Sequence, residues 1–190
     1  MKKTAIYISS LILVSIFLFS YDLPQNWFKA GSEPDKYEMG IDKGAGKNGK
    51  NAAIIKSTEK KIKGFGTLMQ QSMPGKYLGK RVKMTGYMKS EEVNGWAGLW
   101  FRVDGKESGK SLAFDNMYDR KITGTTEWKQ YEIVLDVPAE ATRLAYGALL
   151  GGTGTVWFDD INFEIVTDKV HATNKDVNTP EAPTNLGFDN

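Results

Sequence analysis

The sequence predicts an all-β protein, an antiparallel β-sandwich. From residue 36 to 166, short alternating or β-rich runs follow one another between clusters of Gly, Asn, Asp, Ser and Lys. None of these runs contains Pro, which strands avoid because their amides are needed for ladder bonds. No long stretch keeps a 3.6-residue apolar period, and only 73–79 reads as a possible helical turn.

In order, the runs are 36–42, 51–57, 64–71, 81–90, 95–104, 110–116, 128–137, 143–150 and 155–166. Successive strand side chains point to opposite faces. In 95–104 this puts Ala97, Leu99, Phe101 and Val103 on one face, the natural core, and Trp96, Trp100, Arg102 and Asp104 on the other. Tyr131, Ile133, Leu135 and Val137 form a second inward row, with Trp128, Gln130 and Glu132 opposite. The same alternation sends Trp157, Ile161, Phe163 and Ile165 inward. The run 143–150 is apolar on both sides, as in a central strand covered twice.

Ahead of these runs, Lys2 and Lys3 precede an apolar stretch from Ala5 to Phe19, the layout of a secretory signal peptide. It is short for a membrane span, which favours cleavage over a retained anchor, although Leu18 rather than Ala precedes a cut after Ser20. No Cys follows, so a lipoprotein anchor is excluded. The expected organisation is a signal peptide 1–20, one sandwich domain 21–166 and a linker-like tail 167–190. The expected location is secreted or otherwise extracytoplasmic, or the cell surface if the segment is kept. The tail ends in Asn185-Leu-Gly-Phe-Asp-Asn190, either a frayed end or a short docking strand.

Without Lys2 and Lys3, the 25 basic residues fall to 23, matching 23 acidic ones, so nothing attracts the chain to nucleic acid or to an anionic membrane. With no Cys, thiolate chemistry and Cys-ligated zinc are impossible. The one histidine, His171, lies in the tail, away from any nucleophile, and a three-histidine zinc site is ruled out. Gly44-Ala-Gly-Lys-Asn-Gly49 matches a dinucleotide string but is followed by a β-rich run rather than a helix, so it is a hairpin loop. Gly105-Lys-Glu-Ser-Gly-Lys-Ser111 is one residue short of a phosphate-binding loop and is also a turn.

What remains for function is the outward row Trp96, Trp100 and Arg102, with Trp128 nearby. Flat rings stack on the apolar face of a sugar while polar side chains satisfy its hydroxyls. Asp115 and Asn116 can join from the next run, and Gln70 from a neighbouring one. The competing reading seats the indoles under a loop, the tail or a partner domain. Asp159 and Asp160, after the Gly151-Gly-Thr-Gly154 turn, are weak calcium candidates, since an Asp there more often bonds nearby backbone. No cofactor is otherwise expected. Asp104 with Asp115 or Glu132 is the one carboxylate pairing that suggests a glycosidase.

The final Val156-Trp-Phe-Asp-Asp-Ile-Asn-Phe-Glu164 resembles the closing strand of galactose-binding-like jelly-roll domains, common among carbohydrate-binding modules. Gly64-Phe-Gly-Thr-Leu-Met-Gln70, Gly95-Trp-Ala-Gly-Leu-Trp100, Arg102-Val-Asp-Gly105, Ala113-Phe-Asp-Asn-Met117 and Gly124-Thr-Thr-Glu-Trp128 resemble a more particular, mostly uncharacterised bacterial group whose members sometimes carry transcriptional-regulator labels. The resemblance spans roughly 22–166 and implies a jelly roll. A regulator role conflicts with the missing helix-turn-helix pattern and the neutral charge balance. The leading expectation is a non-catalytic extracytoplasmic module for a glycan or similar polyhydroxylated ligand. A protein-interaction domain comes second and a carboxylate glycosidase third.

Overall fold

The computed structural model describes residues 21–107 and 109–174. The expected signal segment and the terminal Asn185 to Asn190 lie outside the described residues. Eight strands follow in order: β1 (Phe28–Gly31), β2 (Tyr37–Asp42), β3 (Ala52–Ser57), β4 (Phe65–Ser72), β5 (Lys80–Asp104), β6 (Ser111–Asp115), β7 (Ile122–Val137) and β8 (Arg143–Val166). Every pairing is antiparallel. The expected turn within 73–79 is a single 3-10 turn, Gly75–Tyr77.

Three strands run longer than their sequence pattern indicates: β7 begins at Ile122 rather than at 128, and two others each join two runs. The runs 81–90 and 95–104 are one strand, β5, and 143–150 and 155–166 are likewise one strand, β8. They pair with each other almost throughout, from Arg81 opposite Val166 to Asp104 opposite Arg143. Each bends halfway and serves two sheets. The first sheet has the order β1-β4-β8-β5-β6 and uses 143–151 of β8 and 95–104 of β5. The second has the order β2-β3-β8-β5-β7 and uses 155–166 and 80–91 of the same strands. The result is a jelly-roll sandwich.

The bend lies where the register slips between Glu91 and Asn94. Glu92 and the glycines 95, 152 and 154 all have positive φ there. A Cβ on Gly152 would collide with the carbonyl oxygen of Asn94, and one on Gly154 would lie 2.7 Å from that of Glu92. Tyr37 of β2 pins this corner, its hydroxyl donating to the Gly152 carbonyl at 2.8 Å.

Between the sheets the inward rows meet as alternation requires. Ala97, Leu99, Phe101 and Val103 are fully buried, as are Ile133 and Leu135, against Met84, Met88, Ile55 and Leu68. Trp27, Tyr146, Phe158 and Phe163 add edge-on and tilted ring contacts at 4.7–6.1 Å. Trp157 departs from the expectation. Asp160 has φ 52° and adds one residue between the pairs Tyr87–Asp159 and Thr85–Asn162. The bulge flips the parity, so Val156 and Phe158 face the core before it and Ile161 and Phe163 after it. Trp157 faces outward, its indole N–H on Asp42 Oδ2 at 2.7 Å, and Ile165 is 47% exposed.

The tail also differs from a plain linker over its described part. Thr173 donates its amide to the Val134 carbonyl, Ala172 is buried, and Arg81 Nη1 donates to the carbonyls of Asp168 and Val170.

Burial, and secondarily Glu33, pushes the Tyr37 pKa up to about 12 from an ordinary 10.0. A raised folded-state pKa contributes stability that is complete below the unfolded value and lost as pH rises through the folded one. The melting temperature should therefore fall between about pH 10 and 12, and Tyr37→Phe should shrink that fall while costing about 1–2 kcal/mol at neutral pH. Thermal unfolding across alkaline pH checks both.

Candidate functional site

The outer face of the first sheet is a groove, and strand alternation says what builds it. Along its central strand β8 the outward residues are Ala145, Gly147, Leu149 and Gly151, a low floor. On one side β4 contributes Phe65, Thr67, Met69 and Gln71, and beyond it β1 contributes Phe28 and Ala30. On the other side β5 contributes Trp96, Gly98, Trp100 and Arg102, followed by Phe114 of β6 and Asn116. Gly147 lies between Met69 and Trp100, and Gly151 between Phe65 and Trp96, so the tall side chains flank positions that have none. The hollow holds about 480 Å³.

Glycine at 147 is dictated by the backbone, since a Cβ there would run into the Leu68 carbonyl oxygen. That leaves room for the Trp100 indole, whose N–H donates to Thr67 Oγ1 at 2.8 Å from the far side of β8. Thr67 in turn donates to the Ala148 carbonyl at 2.7 Å. Trp100 is 6% exposed and packs with Met69, Ala145 and Leu149, so it forms the bed of the groove. Trp96 is half-buried at one end, edge-on to the exposed Tyr118 with ring centroids 5.3 Å apart. Phe28, Phe65 and Phe114 are each about 40% exposed and form the lips.

The opposite end is charged. Arg102 Nε lies 2.8 Å from Asp104 Oδ1 without pointing its hydrogen along that line, and Nη2 donates to Oδ2 at 3.1 Å. Arg143 Nε donates to the same Oδ2 at 3.2 Å.

The predicted site residues thus separate. Trp96, Trp100, Arg102 and Asn116 come together in the groove. Asp115 does not. It pairs with Phe101 on the inward face, is buried, and accepts from Arg120 Nη2 and the Met117 amide, each at 2.7 Å. Gln70 also points inward, accepting the Tyr146 hydroxyl at 2.5 Å, and its neighbour Gln71 lines the groove instead. Trp128 stands on the outer face of the second sheet, where the Lys89 ammonium sits 5.3 Å from its ring and 4.5 Å from that of Trp157. Asp159 Oδ1 accepts the Asp160 amide at 2.8 Å, tying the bulge. Among the described residues no three His, Cys, Asp or Glu side chains converge as a metal site would need. The carboxylates considered as a catalytic pair diverge, Asp104 lying with two arginines outside and Asp115 with one inside.

Sequence reasoning missed Phe28, Phe65, Phe114 and Tyr118. Phe65 and Phe114 sit in β-rich runs where alternation could have found them, opposite the inward Leu68 and Ala113 rows. β1 is too short to leave a pattern.

This architecture is known elsewhere. No family model matches the chain. In Bacillus subtilis (strain 168), the uncharacterized HTH-type transcriptional regulator YbfP is 41% identical over 168 residues, covering 87% of this chain. The chain spans 57% of that relative's length. Among solved structures, the CBM22-1 xylan-binding domain from Paenibacillus barcinonensis Xyn10C superposes with a TM-score of 0.54 at 14% identity, covering 77% of this chain and 90% of its own. The enzymatically active domain of bacteriophage CBA120 tailspike protein 4 gives 0.58 at 11% identity, over 75% of this chain and 20% of that one.

The fold is the jelly roll of carbohydrate-binding modules. At these identities the likeness concerns fold alone. The described residues hold four 3-10 turns and no α-helix, so they contain no counterpart of the helix-turn-helix in the relative's name.

Because Trp100 is the groove bed, Trp100→Ala should destabilise the protein by about 3–5 kcal/mol, the usual cost of emptying a large aromatic site. Urea unfolding measures this. A change below about 1 kcal/mol would mean that the ring carries little packing.

Proposed function

We propose that this protein is a non-catalytic binding module that takes a carbohydrate in the groove on the outer face of its first sheet. One observation carries the proposal: an aromatic-lipped hollow on a rigid sheet, with Gln71, Asn116 and Arg102 set among Trp96, Phe28, Phe65 and Phe114. Apolar rings facing the C–H side of a sugar, with a few fixed polar groups for its hydroxyls, are the usual makings of such a site. The fold supports this reading, since it is shared with modules named for carbohydrate binding. Trp100 acts from beneath, holding the bed, and Trp96 is the stacking ring. The apolar segment after Lys2 and Lys3, with the layout of a secretory signal, supports a location outside the cytoplasm as part of this proposal.

The test is electrophoresis of the protein through gels containing neutral polysaccharides, xylan among them. Retardation is expected with at least one. Trp96→Ala should abolish it while leaving the melting temperature nearly unchanged, because that ring is half exposed. Asp115→Asn should leave the retardation intact, because that carboxylate faces away from the groove. Retardation that survives Trp96→Ala would refute the assignment of this face. Self-association through the aromatic lips, lost in Phe114→Ser and accompanied by no glycan retention, would support a protein partner instead.

A further inference from the structure

The groove's charged end has a chemistry of its own. We infer that the ligand is an acidic glycan, a polymer bearing uronate carboxylates, whose carboxylate is taken by Arg102 and Arg143. The inference rests on the module reading above and specifies the class of sugar.

Arg102 is the one charged side chain among the described residues that line the groove. It also lines an adjoining hollow of about 290 Å³ with Arg143, Lys106 and Lys110. Against these four cations stand Asp104 and Glu107, so the end of the groove is net positive on a chain that is otherwise nearly balanced.

The use made of each arginine separates this pair from the others. The chain has four arginines. Arg120 commits its terminal nitrogens to Asp115, Asp119 and the Glu132 carbonyl. Arg81 commits its own to Asp136 and to the carbonyls of Asp168 and Val170. Those two serve the fold. Arg102 and Arg143 instead share one carboxylate, Asp104, and are 39% and 51% exposed. Nη1 of Arg102 and both terminal nitrogens of Arg143 make no hydrogen bond among the described residues.

Asp104 is 11% exposed in its side chain and holds both guanidinium stems in place without using up their donors. A planar guanidinium with free terminal N–H groups matches a carboxylate in a two-point contact. Ala145 stands between Arg102 and Gln71 on the floor, so the groove stays low where it reaches the arginines. Six strand positions, roughly 20 Å, separate Arg102 from Trp96, so a polymer several sugars long, stacked on Trp96 and presenting a carboxylate further along, would occupy both ends together.

The experiment measures binding of the protein to polygalacturonate, alginate and hyaluronan, each against its own carboxyl-reduced counterpart. The two members of a pair share linkage and differ in charge. At least one polyuronate should bind about tenfold or more tightly than its reduced form, the scale of a charge-assisted hydrogen-bonded contact. Arg143→Gln should bring that ratio close to one while leaving the reduced polymer bound as before. Lys129→Gln, on β7 of the second sheet, should leave the ratio unchanged. Equal binding within every pair would overturn the inference and leave the neutral-sugar reading standing. A preference that survives Arg143→Gln and Arg102→Gln would overturn it too, placing the acidic contact elsewhere. Binding to no polymer, charged or reduced, would count against this inference and the module reading together.

Discussion

For more than twenty residues β5 and β8 hydrogen-bond to each other, and both must turn from one sheet into the other at the same point. Side chains at that point would collide with the opposite backbone, so glycines 95, 152 and 154 occupy it. The ladder survives the bend because the strain is concentrated in residues without a Cβ. Every other strand is positioned by one half or the other of this ribbon. β4 and β6 flank one half, β3 and β7 the second, and β1 and β2 add outside them. Tyr37 then ties β2 back to the bend through the Gly152 carbonyl.

The groove follows from the same ribbon. Because β8 is central in the first sheet, its outward residues form the bottom of whatever lies on that face, and apart from Leu149 those residues are Gly or Ala. Trp100 reaches across them to Thr67, which joins β5 to β4 over the top of β8 as well as through it. The polar groups are sorted by depth. Asp115 and Gln70 are spent on Arg120 and Tyr146 inside the rim, whereas Arg102 and Gln71 remain on the open face.

Reading the sequence recovered what a two-residue rhythm can carry. The inward set from Ala97 to Val103 and the outward set Trp96, Trp100 and Arg102 lie on one uninterrupted half-strand, and both are placed as the rhythm demands. It failed where the rhythm breaks without a marker. Asp160 takes a left-handed conformation, which Asp tolerates better than most residues, but Asp is too common elsewhere for its type alone to announce a bulge that turns Trp157 outward. Gln70 was misjudged by one position because alternation fixes parity only once one neighbour's face is known. Trp128 lies across the sandwich from Trp96 and Trp100, a matter of which sheet a strand joins, and pairing between sheets leaves no local trace. The bend itself was legible as two breaks, one polar at 91–94 and one Gly-rich at 151–154, which look the same in sequence whether a chain reverses there or passes on into the second sheet.

The groove joins parts of unequal firmness. Its bed belongs to β8 and β5, the two long strands paired with each other along the whole groove, and its depth is set by a glycine that the neighbouring carbonyl will not allow to change. Two of its lips, Phe28 and Phe114, belong to β1 and β6, short outer strands of four and five residues, each held along a single edge. Exchange of Phe28 or Phe114 therefore reshapes the margins of the groove with little risk to folding, whereas the bed admits no such change without disturbing the ladder beneath it.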